Sequence, residues 1–197
     1  AMSLAASSTN STDPSVAWLD PARDGGAVDL ADSHDPRLLV PGDPVGLLAA
    51  ARALIHNADL HNTLAAWQRR LHDDGWSGAA ADAFHAHLTR QATRHTRAAD
   101  ATRTAAQALT ALADGIDEAR TQARRAALLH AEGDPDQRAD RRSDPELREQ
   151  AHDLLADTRA ALEDLHIRVR AQLAIARQAL PDAHRLLTDP GPSTDHT

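Results

Sequence analysis

The sequence predicts an all-α protein, a long antiparallel helical hairpin with a third long helix, together making an elongated bundle. Three observations lead there. Apolar residues make up 42% of the chain but aromatics only 2%, with three Trp, one Phe and no Tyr. Sheets favour β-branched and aromatic side chains, whereas the Ala, Leu, Arg, Gln and Glu that dominate here are strong helix formers. Apolar positions recur at steps of 3 or 4 along three separate stretches. Each stretch is bounded by a Pro, Gly and Asp cluster that stops or starts a helix.

Residues 1–43 lack such a pattern. They are rich in Asp, Gly, Pro and Ser and read as a mostly irregular acidic segment. Val16-Ala17-Trp18-Leu19 is its first apolar cluster and Leu38-Leu39-Val40 its last. Arg23 and Arg37 stand against seven Asp in this segment, which holds most of the formal net charge of −8. Ala1-Met2 reads as the remnant of an expression tag. Residues 1–12 have neither the basic nor the apolar region of a secretory signal peptide.

Asp43-Pro44 is a start signal, with Asp43 the capping acceptor and Pro44 at the first helical position. The first long helix is expected to run to about Asp73. Leu47, Leu54, Leu60, Leu64, Trp67 and Leu71 mark its apolar stripe and place Trp67 in a core. Asp73-Asp74-Gly75 ends it, with Gly75 as a left-handed cap. The second helix starts at Ala79. Its seam runs by steps of 3 or 4 from Phe84 through Leu88, Gln91, His95, Ala98, Thr102, Ala105, Leu109, Leu112 and Ile116 to Ala126, a heptad-like repeat. Gly115 lies inside this helix at a cost of roughly 1 kcal/mol against Ala, so a bend is allowed there. Residues 44–131 form the hairpin. Residues 132–144 are a charged loop, with Arg138, Arg141 and Arg142 among Asp134, Asp136, Asp140 and Asp144. The third helix, 145–187, carries a seam from Leu147 to Leu180, with Pro181 ending it or opening one further turn. Residues 188–197 read as a flexible tail suited to begin a connection to a further domain.

At 1.5 Å per residue the helices would be roughly 43, 75 and 55 Å long. The first therefore covers only part of the second. The third helix, a second copy or a partner has to bury the overhang.

Trp76-Ser77-Gly78 sits at the hairpin end. Gly78 either permits positive φ or lets the second helix begin close to the first. Trp76 brings a large apolar plate and an N–H able to reach a carbonyl. The stretches Asp35-Pro36-Arg37-Leu38-Leu39-Val40-Pro41-Gly42-Asp43-Pro44 and Gly75-Trp76-Ser77-Gly78-Ala79-Ala80-Ala81-Asp82-Ala83-Phe84 resemble the type VII secretion signal domain that leads many actinobacterial polymorphic toxins. That domain is a relative of the WXG100 (ESX) proteins, and the resemblance covers about residues 35–180. It implies a helical hairpin exported by a type VII machine and no catalytic activity. It also implies a protein partner: a homodimer, or a heterodimer with a small WXG100-like protein, and contact with the type VII ATPase. The implied location is the cytoplasm before export and the exterior after it. The motif and partner-binding candidates are Trp76, Ser77, Gly78, Phe84, Leu88, His95, Leu109, Leu112 and Ile116. Type VII substrates often carry Tyr-x-x-x-Asp/Glu after the hairpin. These 197 residues contain no Tyr, and no aromatic follows Phe84.

Other functions find little footing. There is no Cys, hence no disulfide or thiolate chemistry. All 21 basic residues are Arg, Lys being absent, and they form no basic stripe for nucleic acid or anionic membrane. No apolar run approaches the ~20 residues of a membrane span. Glu149-x-x-His152 and Glu163-x-x-His166 match the carboxylate–histidine spacing of di-iron bundles, but they share one helix roughly 21 Å apart, and Asp82-x-x-His85 is the one candidate opposite. No catalytic residue, cofactor or metal is expected. His95, with Gln91 and Thr102, reads as a polar layer that sets register or partner choice, and in a sharper version as a pH-sensitive interface. The alternative to an export domain is a cytoplasmic helical adaptor that self-associates.

Overall fold

The computed structural model describes residues 28–71, 75–134 and 144–180. It is all-α, with no strand among the described residues. The elements are α1 (Pro36–Leu39), α2 (Pro44–Arg70), α3 (Ala79–Gly133) and α4 (Pro145–Ala179). The expectations for Trp18, for the arginines of the charged loop and for the chain after Leu180 fall outside the described residues.

The helix starts follow their caps. Asp43 accepts the Gly46 N–H at 3.0 Å, with Pro44 in the first turn of α2. Asp144 does the same for Glu146 and Leu147 ahead of Pro145 in α4. These bonds satisfy amides that have no partner inside the helix. The ends differ from expectation at α2, which stops at Arg70, where Leu71 donates back to the Gln68 carbonyl. Gly75 is not a left-handed cap, because positive φ among the described residues occurs only at Gly42 and Gly78.

Helix α3 is the spine. Its 55 residues span roughly 80 Å, and α2 and α4 both pack along it. The pairings run antiparallel. Gly42 lies against Ile116 and Asp59 against Arg103 on the α2 side. Gly133 lies against Arg148, and Gly115 against Leu165, on the α4 side. The Asp144 N–H reaches the Gly133 carbonyl at 3.2 Å, so the end of α3 adjoins the start of α4. The third long helix therefore folds back in cis, and α3 runs unbroken through Gly115.

The α2–α3 contact corrects the apolar stripe read from the sequence. Leu47, Ala51, Ala58 and Ala65 are buried on α2, opposite a seven-residue repeat of buried alanines on α3, Ala92, Ala99, Ala106 and Ala113. Small side chains let two helix backbones approach closely, so the alanine faces dock. Leu60, Leu64 and Trp67 fall on the opposite side of α2 and remain 51%, 44% and 57% exposed. Trp67 is not a core residue. The 4-3 spacing identified a real stripe, but spacing does not say which face meets the neighbour.

The core lies along the middle and C-terminal part of α3, in one cluster that includes Leu109, Leu112 and Ile116 of α3 and Leu155 and Val169 of α4. Residues 28–43 contribute more to it than their composition suggests. Leu30, Leu39 and Val40 are fully buried there, and the single turn of α1 is capped by Asp35, which accepts the Arg37 N–H at 2.9 Å. Two arginines satisfy the carbonyls of this lead-in. Arg159 donates to Val28 and Leu39 at 2.6 and 3.1 Å. Arg120 donates to Val40 and Gly42 at 3.2 and 2.7 Å. Buried carbonyls need such partners wherever regular structure does not supply them.

Candidate partner-binding surface

At the hairpin tip Gly78 adopts φ 103° and ψ 178°. This backbone region is almost exclusive to glycine. A Cβ added at Gly78 would meet nothing within 4 Å. Of the two roles open to this glycine, the structure selects the positive φ over close packing. Its carbonyl accepts the Asp82 N–H at 3.1 Å and starts α3.

Trp76 folds onto that first turn. Its ring lies 5.4 Å from Phe84 and 6.4 Å from His85, centroid to centroid. These are distances at which tilted aromatic pairs attract. Among the described residues the indole N–H finds no carbonyl, so the ring acts by packing alone. Trp76 and Phe84 stay 44% and 42% exposed, and Ser77 is exposed beside them. The staple thus shows solvent one apolar side.

Further along α3, Leu88 is half-buried. His95 faces α2, with its Nδ1 3.0 Å from Nδ1 of His61. Burial, and then the neighbouring His61, push the His95 pKa below the ordinary histidine value. Thr102 is buried and donates to the Ala98 carbonyl at 2.8 Å. His95 and Thr102 of this polar layer thus find partners within the chain. Leu109, Leu112 and Ile116 are buried too, against α4 and the lead-in. They share one core cluster with residues of the third helix and of the lead-in, and so lie inside the chain's own fold.

Exposed apolar residues occur on every long helix, Val45, Leu128, Ile167 and Ile175 among them, but the three exposed large aromatics of the described residues lie at the other end. From the α3–α4 pairings, the end of α4 at Ala179 falls opposite about residue 101 of α3. Among the described residues, α3 packs from Ala79 to that point against α2 alone, and this two-helix stem carries Leu60, Leu64, Trp67, Trp76 and Phe84 at its surface. Sequence reasoning found all five residues, put the first three on one apolar stripe and assigned Trp67 to a core.

Two other clusters escaped it. Arg120 and Arg159 join parts of the chain 78 to 131 residues apart, with no local pattern to announce them. His34, His130 and His152 meet from three different elements. Among the described residues no group of three or more His, Cys, Asp or Glu is placed to hold a metal ion. No helix there is long and apolar enough to cross a membrane.

No curated protein and no solved structure matches the chain. One family does, described as "Putative T7SS secretion signal domain", over residues 22–145. The match takes in the lead-in, α1, α2, the Trp76-Ser77-Gly78 tip and all of α3, and stops at the first residue of α4. That is a shorter span than the resemblance in sequence implied, since α4 lies outside it. With more than half of its length matched, and with the hairpin and its capped lead-in in place, this chain belongs to the T7SS secretion signal domain family.

Proposed function

We propose that this chain is a targeting domain of the type VII pathway, either the leader of a secreted effector or a stand-alone substrate or chaperone, and that it works by pairing its two-helix stem with a helical partner. The observation that carries the pairing is the stem itself. Leu60, Leu64 and Trp67 repeat at 4 and 3 residues, the spacing of a seam that accepts another helix, and among the described residues they stay 51%, 44% and 57% exposed. An exposed apolar stripe of this kind is characteristic of an interaction site. A WXG100-like hairpin fits such a stem. It would also supply the Tyr-x-x-x-Asp/Glu signal that these 197 residues lack. The chemistry expected of the domain is recognition, with no catalytic step.

The test is export. In a host with an intact type VII system, Trp76→Ala and the pair Leu64→Gln with Trp67→Gln should cut secretion by at least about tenfold, equivalent to roughly 1.4 kcal/mol of lost binding, while the purified variants keep their helix content. Wild-type secretion by both variants overturns the stem as the recognition element. A wild-type protein retained in the cytosol and self-associated there points to the adaptor reading.

A further inference from the structure

Three histidines meet where the lead-in, the end of α3 and the start of α4 come together. The His34 ring lies 5.7 Å from that of His130, and His130 lies 5.5 Å from His152, edge to face. Each residue comes from a different element, so the cluster exists only while all three are docked. Asp29 of the lead-in holds the amide of Leu30 and lies 3.5 Å from Nδ1 of His152. Nδ1 of His130 is shut away from solvent and has no hydrogen-bond partner among the described residues.

The other ties on the lead-in are the Arg120 and Arg159 bonds to carbonyls. Guanidinium groups keep their charge at every relevant pH, so these ties do not respond to acid. The histidines do. We propose that His34, His130 and His152 form an acid-sensitive latch, which holds the lead-in on α3 and α4 at neutral pH and releases it in mildly acidic surroundings.

The charges around His130 set the sign. His34 faces it from the lead-in, His152 and Arg148 from α4, and Asp134 from the end of its own helix. Burial, His152, His34 and Arg148 all disfavour its cation, and only Asp134 favours it, so the His130 pKa lies below 6.5 in the closed state. Asp29 meets one ring of the three, that of His152. Opening takes away His34 and whatever burial the lead-in supplies, while His152 and Arg148 stay in place, so His130 takes up a proton more readily. The advantage of the closed state is therefore complete above pH 6.5 and is lost as the pH falls from there towards the depressed value. Each pK unit by which opening raises the His130 value multiplies the open-to-closed ratio by up to about tenfold. Release withdraws Leu30, Leu39 and Val40 from the core and uncovers the apolar surface beneath them. The device is independent of the export reading, since it needs no partner.

The chain has no Cys, so a pair of spin labels at Ala31→Cys and Ala156→Cys reports the lead-in against α4 without background. Between about pH 8 and about pH 5 the wild-type distance distribution should pass from one narrow, short peak to a broad, longer one, with helix content unchanged. His130→Gln, which cannot gain the charge, should keep the short peak at both pH values. A wild-type distribution that does not respond to pH overturns the latch. So does a His130→Gln protein that opens as the wild type does, or a loss of helix across the whole chain at the acidic pH.

Discussion

Gly78 and Gly42 hold conformations that a side chain resists for different reasons. Gly78 is costly to replace because of its backbone angles alone, since its surroundings are empty. Gly78→Ala should destabilise the fold by about 1–3 kcal/mol, read as a shift of the urea midpoint without a change in slope. At Gly42 the φ of 142° is joined by a steric clash, because a Cβ there would sit 2.9 Å from Cδ1 of Ile116. Arg159 is the other residue on which the lead-in depends. Arg159→Met keeps the aliphatic stem and removes the bonds to Val28 and Leu39. Leaving those half-buried carbonyls unpaired should cost about 1–3 kcal/mol, measurable by the same denaturant titration. The importance of Gly78 was legible in the sequence and its reason was narrowed to two. That of Arg159 was not, because its acceptors lie 120 and 131 residues away.

The helices show how much a period can and cannot say. Caps at Asp43 and Asp144 are local chemistry, within a few residues of the amides they serve, and both could be placed from the sequence. The facing of α2 is a tertiary choice. Its two stripes, alanine and leucine, compete for α3, and the alanine stripe wins by allowing the closer approach. Two substitutions separate these faces. Ala58→Leu forces extra volume into the α2–α3 contact and should cost about 1–3 kcal/mol. Leu64→Gln changes an exposed position and should leave the unfolding free energy within about 0.5 kcal/mol. A loss at Leu64 of the 2–5 kcal/mol typical of a truncated core residue would mean that the stem stripe is buried in solution, by self-association or otherwise. Unfolding at two protein concentrations distinguishes those cases.

Across the whole molecule, histidine pairs bridge the elements at two levels of the spine: His61 with His95 between α2 and α3, and His130 with its neighbours at the far end of α3. His95 and His130 both have pKa values lowered in the fold, first of all by burial. Such groups bind more protons in the unfolded chain, so they favour the fold fully above pH 6.5 and progressively less below it. The urea midpoint should fall as the pH drops through this range. The double variant His95→Gln/His130→Gln should show a shallower decline, and an unaltered slope would mean that other groups control the acid limb.

The sequence by itself determined the all-α class, the three long helices, their capped starts and the hairpin tip at Trp76-Ser77-Gly78. These depend on residue propensities, on the 3.6-residue period and on contacts between near neighbours in the chain. Only the tertiary structure decided that α4 folds back in cis over Leu109, Leu112 and Ile116, that residues 28–43 belong to the core, and that Leu60, Leu64 and Trp67 face outward on a two-helix stem. Each of these outcomes is a choice among surfaces that are equally apolar in sequence. It is settled by which backbones can approach most closely and which distant arginine reaches a stranded carbonyl.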